Sequence, residues 1–306
     1  MKATRAALAG VFAIVAGVAR AAPVDIAWAT VDFGPLKSPH GALLVPVTSG
    51  GIECRMQLDT GMPTTVFYRG VVPAAWLARS ADTVTAPGLA IGGTRIPDTA
   101  LPFYPGNMAE DKAQPCSATN PDVVVGTIGL DSLKRGAIVV DMAAGRFEFI
   151  PHGVLSTHAA PPATLFKFAN ATGIDASVPL FDVTGGAGAH YTMLLDTGSA
   201  AMGAAFWRDR DWSAETFEAG RSAEFEAKSW NRPASFRLGH GRLELVSTST
   251  NLVIGDNLST FKREGETVAD SNPLSGLVGL LPFENQRLTI DFANRLASVE
   301  PGHGNP

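Results

Sequence analysis

Apolar residues along this chain come in short runs that alternate with polar ones, and Gly, Pro, Ser and Asn punctuate them. That rhythm predicts strands and turns. Residues 43–47 (Leu-Leu-Val-Pro-Val) and 52–58 read as two strands joined at Ser49-Gly50-Gly51, a hairpin signal. Extended character resumes at 64–67, residues 74–78 predict a short helix, and 89–96 predicts a second hairpin. Residues 107–122 are polar and irregular, as in a surface loop, and 146–150 predicts a strand. Residues 151–164, with His158-Ala159-Ala160-Pro161-Pro162, have the composition of a linker. The same order then returns. A hairpin is predicted over 178–195, a short helical stretch near 204–212, and strands from 225 onward. The hairpin at 236–243 mirrors that at 89–96, and a closing strand covers 296–300. Residues 22–41 form only a short, Pro-containing lead-in.

The return is visible in the letters themselves. Met56-Gln57-Leu58-Asp59-Thr60-Gly61 is answered by Met193-Leu194-Leu195-Asp196-Thr197-Gly198. Gly126-Thr127-Ile128-Gly129-Leu130-Asp131 is answered by Gly276-Leu277-Val278-Gly279-Leu280-Leu281, and Ile138-Val139-Val140-Asp141 by Leu288-Thr289-Ile290-Asp291. The offset is 137 at the first pair of aspartates and 150 at the later glycines, so the second copy carries 13 more residues between these landmarks. We read a duplicated domain: residues 22–155 as one β lobe and 156–306 as another, joined by a proline-rich strap.

Residues 1–21 carry Lys2 and Arg5, an apolar stretch from 7 to 18, and Ala19-Arg20-Ala21. This reads as a secretory signal peptide, with a stretch too short and too rich in Ala and Gly to span a bilayer comfortably. Its removal makes the formal charge of −5 more negative by three. An acidic surface without basic clusters argues against nucleic acid as a partner. The expected location is periplasmic or secreted, with no stable membrane insertion after signal cleavage. In an oxidising compartment the 2 cysteines, Cys54 and Cys116, are expected to form a disulfide bond. The 6 histidines are scattered without ligand spacing, so neither a metal nor another cofactor is expected.

The chemistry lies in the paired Asp-Thr-Gly motifs. A carboxylate at a strand end followed by glycine suits a tight loop. Two such loops facing each other would bring Asp59 and Asp196 together, where like charges cannot both ionise and the pair holds one proton. One carboxylate then takes a proton from water while the other gives one to a carbonyl oxygen, which is general acid–base hydrolysis. With the flanking Thr127-Ile128-Gly129 and Leu277-Val278-Gly279, both motifs resemble aspartic proteases of the retropepsin and pepsin kind. The run from Ile128 to Arg135 with Val140-Asp141 is especially similar to bacterial retropepsin-type enzymes. The resemblance covers residues 43–150 and 178–300. It implies an all-β acid protease fold of two closed, barrel-like lobes with an active-site cleft between them. It also implies an aspartic endopeptidase acting on polypeptide substrate. Asp59 and Asp196 become the catalytic pair, Thr60 and Thr197 interlock beneath them, and Gly61, Gly198 and Ser199 complete the loops.

Two departures matter. Met62 stands where the resemblance calls for Ser, Thr or Ala, whereas Ser199 fits, so the two carboxylates should be tuned differently and Asp59 should hold the shared proton more of the time. The first copy also leaves little room for a substrate flap, which directs attention to residues 218–235, with a tip at 218–222. Asp131, Asp141 and Asp291 read as structural, and His190 and Tyr191 as strand-surface residues. Neither a Gly-x-Ser-x-Gly nor a His-Glu-x-x-His run occurs, which removes the common serine hydrolase and zinc protease patterns. Because one chain supplies both halves, a monomer is expected. The rival reading is a catalytically silent pepsin-like module that binds peptides or proteins in the same cleft.

Overall fold

The computed structural model describes residues 21–33, 36–77, 83–97, 101–104, 114–155, 164–167, 169–172, 179–185, 190–200, 204–207, 217–221, 226–230, 234–238, 241–245, 251–254, 260–263, 272–273 and 276–303. Apart from Ala21, the signal segment lies outside these residues, as do most of the linker and the stretch 208–212.

The first half is built on the hairpin of Leu36–Ser49 and Ile52–Leu58, whose register runs from Leu44 opposite Gln57 to Ser49 opposite Ile52. Gly50 and Gly51 alone span the turn, with φ of 56° and 79°. Both lie in the left-handed region that a two-residue hairpin of matching twist requires. Along Ile52–Leu58, Cys54, Met56 and Leu58 are buried, while Arg55, Gln57 and then Asp59 keep partial exposure. Period-two alternation therefore sends the alkyl side chains into the core and Asp59 out of it. Val124–Ile128 runs parallel to this strand, with Thr127 opposite Gln57 and Ile128 opposite Leu58, and antiparallel to Val66–Phe67.

The second half repeats this plan. Pro179–Gly185 and His190–Leu195 form a hairpin with Leu180 opposite Leu194. Gly276–Val278 runs parallel to it, Leu194 facing Leu277 and Leu195 facing Val278, and antiparallel to Ala204–Trp207. The expected helix near 204–212 is thus a strand at 204–207. Its backbone is claimed on both sides, by Gly276–Val278 and by Asn251–Ile254, and that pairing outweighs the helix preference of Ala204-Ala205. The helix expected at 74–78 is a single 3₁₀ turn, Ala74–Trp76, whose indole donates to the Ser49 carbonyl at 3.1 Å. The lead-in is also structured: Val24–Asp25 and Ala27–Phe33 are strands.

A six-stranded sheet draws on both halves, in the order Val24–Asp25, Arg146–Pro151, Gly136–Asp141, Gln286–Asp291, Leu296–Pro301, Thr164–Lys167. Its centre is an antiparallel pair with Ile138 opposite Ile290 and Val140 opposite Leu288. Ile138, Val140, Phe147, Phe149, Leu288, Ile290 and Ala297 bury one face in the main core. The two halves of the chain consequently share one sheet, which the sequence reading did not anticipate. Asp141 and Asp291 mark its pseudo-two-fold. Each accepts the N–H three residues on, from Ala144 and Asn294, and so closes its own hairpin turn. Each also captures the segment leaving the other lobe: Asp141 accepts His303 N–H at 3.1 Å, and Asp291 accepts Val154 and Leu155 N–H at 2.7 Å. Their structural reading holds. No helix among the described residues is long and apolar enough to cross a membrane.

Cys54 and Cys116 are disulfide-bonded across 62 residues of sequence, and both are buried. Closing a loop of this size stabilises by about 4 kcal/mol through lost entropy of the unfolded chain. A Cys54→Ala/Cys116→Ala double variant should lose stability of that order. Denaturant titration of oxidised, reduced and variant protein checks this; identical midpoints would show the bond to be thermodynamically idle.

Candidate active site

Each Asp-Thr-Gly motif leaves its strand at the same point. Asp59 N–H donates to the Ile128 carbonyl at 3.1 Å, and Asp196 N–H to that of Val278 at 2.9 Å. The parallel neighbour strand thereby anchors each loop as it turns. Within each loop the glycine N–H returns to the aspartate, Gly61 to Asp59 Oδ1 at 2.8 Å and Gly198 to Asp196 Oδ1 at 2.9 Å.

Beneath the carboxylates the two threonines, both fully buried, cross-link the halves. Thr60 N–H donates to Thr197 Oγ1 and Thr197 N–H to Thr60 Oγ1, each at 3.0 Å. Thr60 Oγ1 donates to the Leu195 carbonyl at 2.6 Å, and Thr197 Oγ1 to that of Leu58 at 3.0 Å. Each hydroxyl therefore donates once and accepts once, so four buried polar contacts are satisfied reciprocally.

The glycines let the loops close up. A Cβ on Gly61 would lie 2.9 Å from Asp196 Oδ1, and one on Gly198 would lie 2.4 Å from both Cγ and Oδ2 of Asp59. Each carboxylate occupies the space that a side chain on the opposite glycine would need. Sequence separation between Asp59 and Asp196 is large, yet the fold lays each carboxylate against the glycine of the other's loop.

Their environments differ. Ser199 Oγ donates to Asp196 Oδ2 at 2.8 Å. Met62 offers Asp59 no such side-chain donor. Burial, then the charge and hydrogen bond of Asp196, push the Asp59 carboxyl up to about 8, against the smaller opposing effect of the Gly61 and Met62 N–H groups.

Several neighbours escaped the sequence reading. Gln57 Nε2 donates across the junction to the Gly198 carbonyl at 3.3 Å. Tyr68 Oη and Thr127 Oγ1 share a hydrogen bond of 2.6 Å on the first-half side. Thr65 Oγ1 donates to Asp131 Oδ1 at 2.6 Å and accepts from Gly129 N–H at 3.0 Å, tying the first motif's outgoing chain to the turn Leu130–Leu133. Asp131 is thus structural. Residues 59 to 65 contain three threonines, Thr60, Thr64 and Thr65; Thr60 and Thr65 have different duties, and nothing local separates them. His190 and Tyr191 lie within the strand His190–Leu195, opposite Thr184 and Val183. The expected flap tip at 218–222 is largely strand: Phe217–Arg221 pairs with Glu226–Trp230, which in turn pairs with Asn251–Ile254. The connection at 222–225 lies outside the described residues.

No family model and no curated protein matches this chain. Among solved structures, it is similar to the aspartic proteinase from Irpex lacteus, with 12% identity and a TM-score of 0.53 over 92% of this chain and 97% of that one. Identity this low speaks for the fold alone, and with the predominance of strands it establishes a pepsin-like aspartic proteinase fold.

Proposed function

We propose that this protein is an exported aspartic endopeptidase that hydrolyses peptide bonds with water activated between Asp59 and Asp196. The observation that carries the reading is the pairing of the two carboxylates in unequal surroundings. One proton held between two carboxyls is of no use to a scaffold, and keeping a carboxyl at about 8 costs stability at neutral pH. The arrangement is suited to hydrolysis. Asp196, oriented by Gly198 N–H and Ser199 Oγ, takes a proton from water as the water oxygen attacks the carbonyl carbon. Asp59 gives its proton to the carbonyl oxygen. In the collapse of the resulting diol, Asp196 returns its proton to the leaving nitrogen as the C–N bond breaks, and Asp59 recovers one from a hydroxyl. The pair ends as it began, without a covalent intermediate.

Both halves of the site come from one chain through the Thr60–Thr197 cross-link, which supports a monomeric enzyme. A buried disulfide is compatible with a periplasmic or secreted location. The substrate is an extended polypeptide lying between the lobes, its backbone pairing with strand edges.

Incubating the protein with a diverse peptide mixture across pH, with and without an active-site-directed aspartic protease inhibitor, tests this reading. Cleavage should be inhibitor-sensitive and follow a bell. The alkaline limb falls as the proton leaves the pair near the value of about 8 at Asp59, and the acid limb falls where both carboxyls are protonated and no base remains. Because Asp59 is raised above its unfolded value of 3.8, its contribution to stability is complete below that value and is lost as pH rises towards about 8. Thermal stability should therefore decline over the same window. Absence of any cleavage would leave the silent binding module as the better reading.

A further inference from the structure

The two halves repeat their backbone around the carboxylates but not their side chains. Strand alternation puts Gln57 on the same side as Asp59, and Leu194 on the same side as Asp196, with the residues between them buried. The neighbouring parallel strands add one residue to each wall in identical register, Thr127 beside Gln57 and Leu277 beside Leu194. Parallel partners project to the same face of a sheet. Beside Asp59 the wall therefore consists of Gln57 and Thr127, the latter joined by Tyr68. Beside Asp196 it consists of Leu194 and Leu277.

That the first wall faces the junction is fixed by a direct contact. Gln57 Nε2 reaches the Gly198 carbonyl at 3.3 Å, and Gly198 is the residue whose absent side chain leaves room for the Asp59 carboxylate. Tyr68 lies close enough for the Asp59 charge to help raise its phenol, after the larger effect of burial. Tyr68 and Thr127 are 7% and 5% exposed, so this is a dry polar wall rather than a solvated rim. Their two hydroxyls hold two hydrogens and spend one on each other, and among the described residues no acceptor is seen for the other. Gln57 uses one of its N–H groups on Gly198, and among the described residues no further partner for its side chain is seen. A donor and an acceptor thus remain beside Asp59. Polar groups in such a place favour an occupant that bonds them and reject one that strands them.

Resting on the endopeptidase reading above, we infer that the cleaved bond lies between two unlike residues. An uncharged hydrogen-bonding side chain (Ser, Thr, Asn or Gln) sits against Gln57, Thr127 and Tyr68, and an apolar one sits against Leu194 and Leu277. The residues flanking a bond in an extended chain point to opposite sides, so each wall receives one of them. A carboxylate side chain is repelled by the charge of the pair itself, and a cation would lose its water against the dry hydroxyls without a dedicated counter-charge. Gln57 and Thr127 are specificity-determining residues on this view.

Cleavage-site profiling by mass spectrometry on a proteome-derived peptide mixture tests the inference, using the full chain expressed with export. The wild type should select a hydrogen-bonding residue on one side of the bond and an apolar one on the other. Gln57→Leu and Thr127→Val should each shift the kcat/KM ratio between matched polar and apolar peptides by roughly tenfold or more towards the apolar. Leu194→Gln should relax the apolar preference at the opposite position. A wild-type profile that is apolar on both sides, or folded and active variants with an unchanged profile, would overturn this inference and leave the endopeptidase reading standing. The wild-type profile decides by itself should a variant fail to fold. Absence of cleavage by the wild type would overturn the endopeptidase reading, and this one with it.

Discussion

Asp59→Asn and Asp196→Asn are each expected to reduce peptide cleavage on the order of a thousandfold or more, because general acid–base groups that act as a unit fail as a unit. Asparagine keeps the size and planarity of the side chain but can neither hold nor pass the shared proton. The threonine cross-link below uses no carboxylate oxygen, so both variants should fold. A second readout distinguishes the two positions. Asp59 is the carboxyl that burial and Asp196 hold up at about 8, so Asp59→Asn removes the cost of ionising it. The variant should keep its stability as pH rises towards 8, where the wild type loses some. Turnover of peptides by each purified variant, alongside melting curves from pH 4 to 9, checks both statements. If either variant kept a substantial fraction of wild-type turnover, the shared site would be refuted.

Much of this site was legible because its parts are local. Met-Gln-Leu-Asp-Thr-Gly and Met-Leu-Leu-Asp-Thr-Gly each announce a strand ending in a tight loop, and their repetition supplies the two-fold relation. The Ser49-Gly50-Gly51 turn was readable for the same reason, since its chemistry is confined to the residues that make it. The environment around the carboxylates was less accessible. Gln57 sits at a position where its counterpart is Leu194, and a glutamine inside an apolar run reads as one more strand residue until the opposite half is in place. Its partner, Gly198, is 141 residues away. Tyr68 and Thr127 are 59 residues apart, and Thr65 and Asp131 are 66 apart. Such bonds leave no periodicity to find. The shared six-stranded sheet was hidden for a related reason. Arg146–Pro151 and Leu296–Pro301 look like the last strands of separate lobes, and only the pairing of Gly136–Asp141 with Gln286–Asp291 makes them one layer. Asp141 and Asp291 were read as structural from their placement at strand ends, but their exchange of captured segments between lobes depends on that layer. At 204–207 local preference pointed to helix, and pairing on both strand edges decided otherwise.

Gly198→Ala should lower the rate by about 10²-fold, although it removes no functional group. A methyl carbon there would lie 2.4 Å from Asp59 Cγ and Oδ2 and 2.6 Å from Oδ1, well inside ordinary contact. Relief requires the Asp59 carboxylate to move by about 1 Å or the loop to back away, and misplacement of that size typically costs about 10²-fold in rate. The neighbouring constraints make relief hard to find. Gly61 N–H holds Asp59 Oδ1 from its own loop, and the second loop is pinned by Gly198 N–H on Asp196 and by both threonines. Gly61→Ala places its methyl 2.9 Å from Asp196 Oδ1 and should cost less, since the same relief needs a smaller movement. Gly51→Ala serves as the contrast. It sits at φ 79° in a turn with nothing within 4 Å of a new methyl, so it should lose about 1–2 kcal/mol of stability and leave turnover alone. The order expected for kcat is therefore Gly51→Ala, then Gly61→Ala, then Gly198→Ala at the bottom, and a steady-state comparison on one peptide measures it. A Gly198→Ala protein with near-normal kcat would show that the Asp59 carboxylate works equally well from a displaced position, and the close packing of glycine on carboxylate would then have no part in the chemistry.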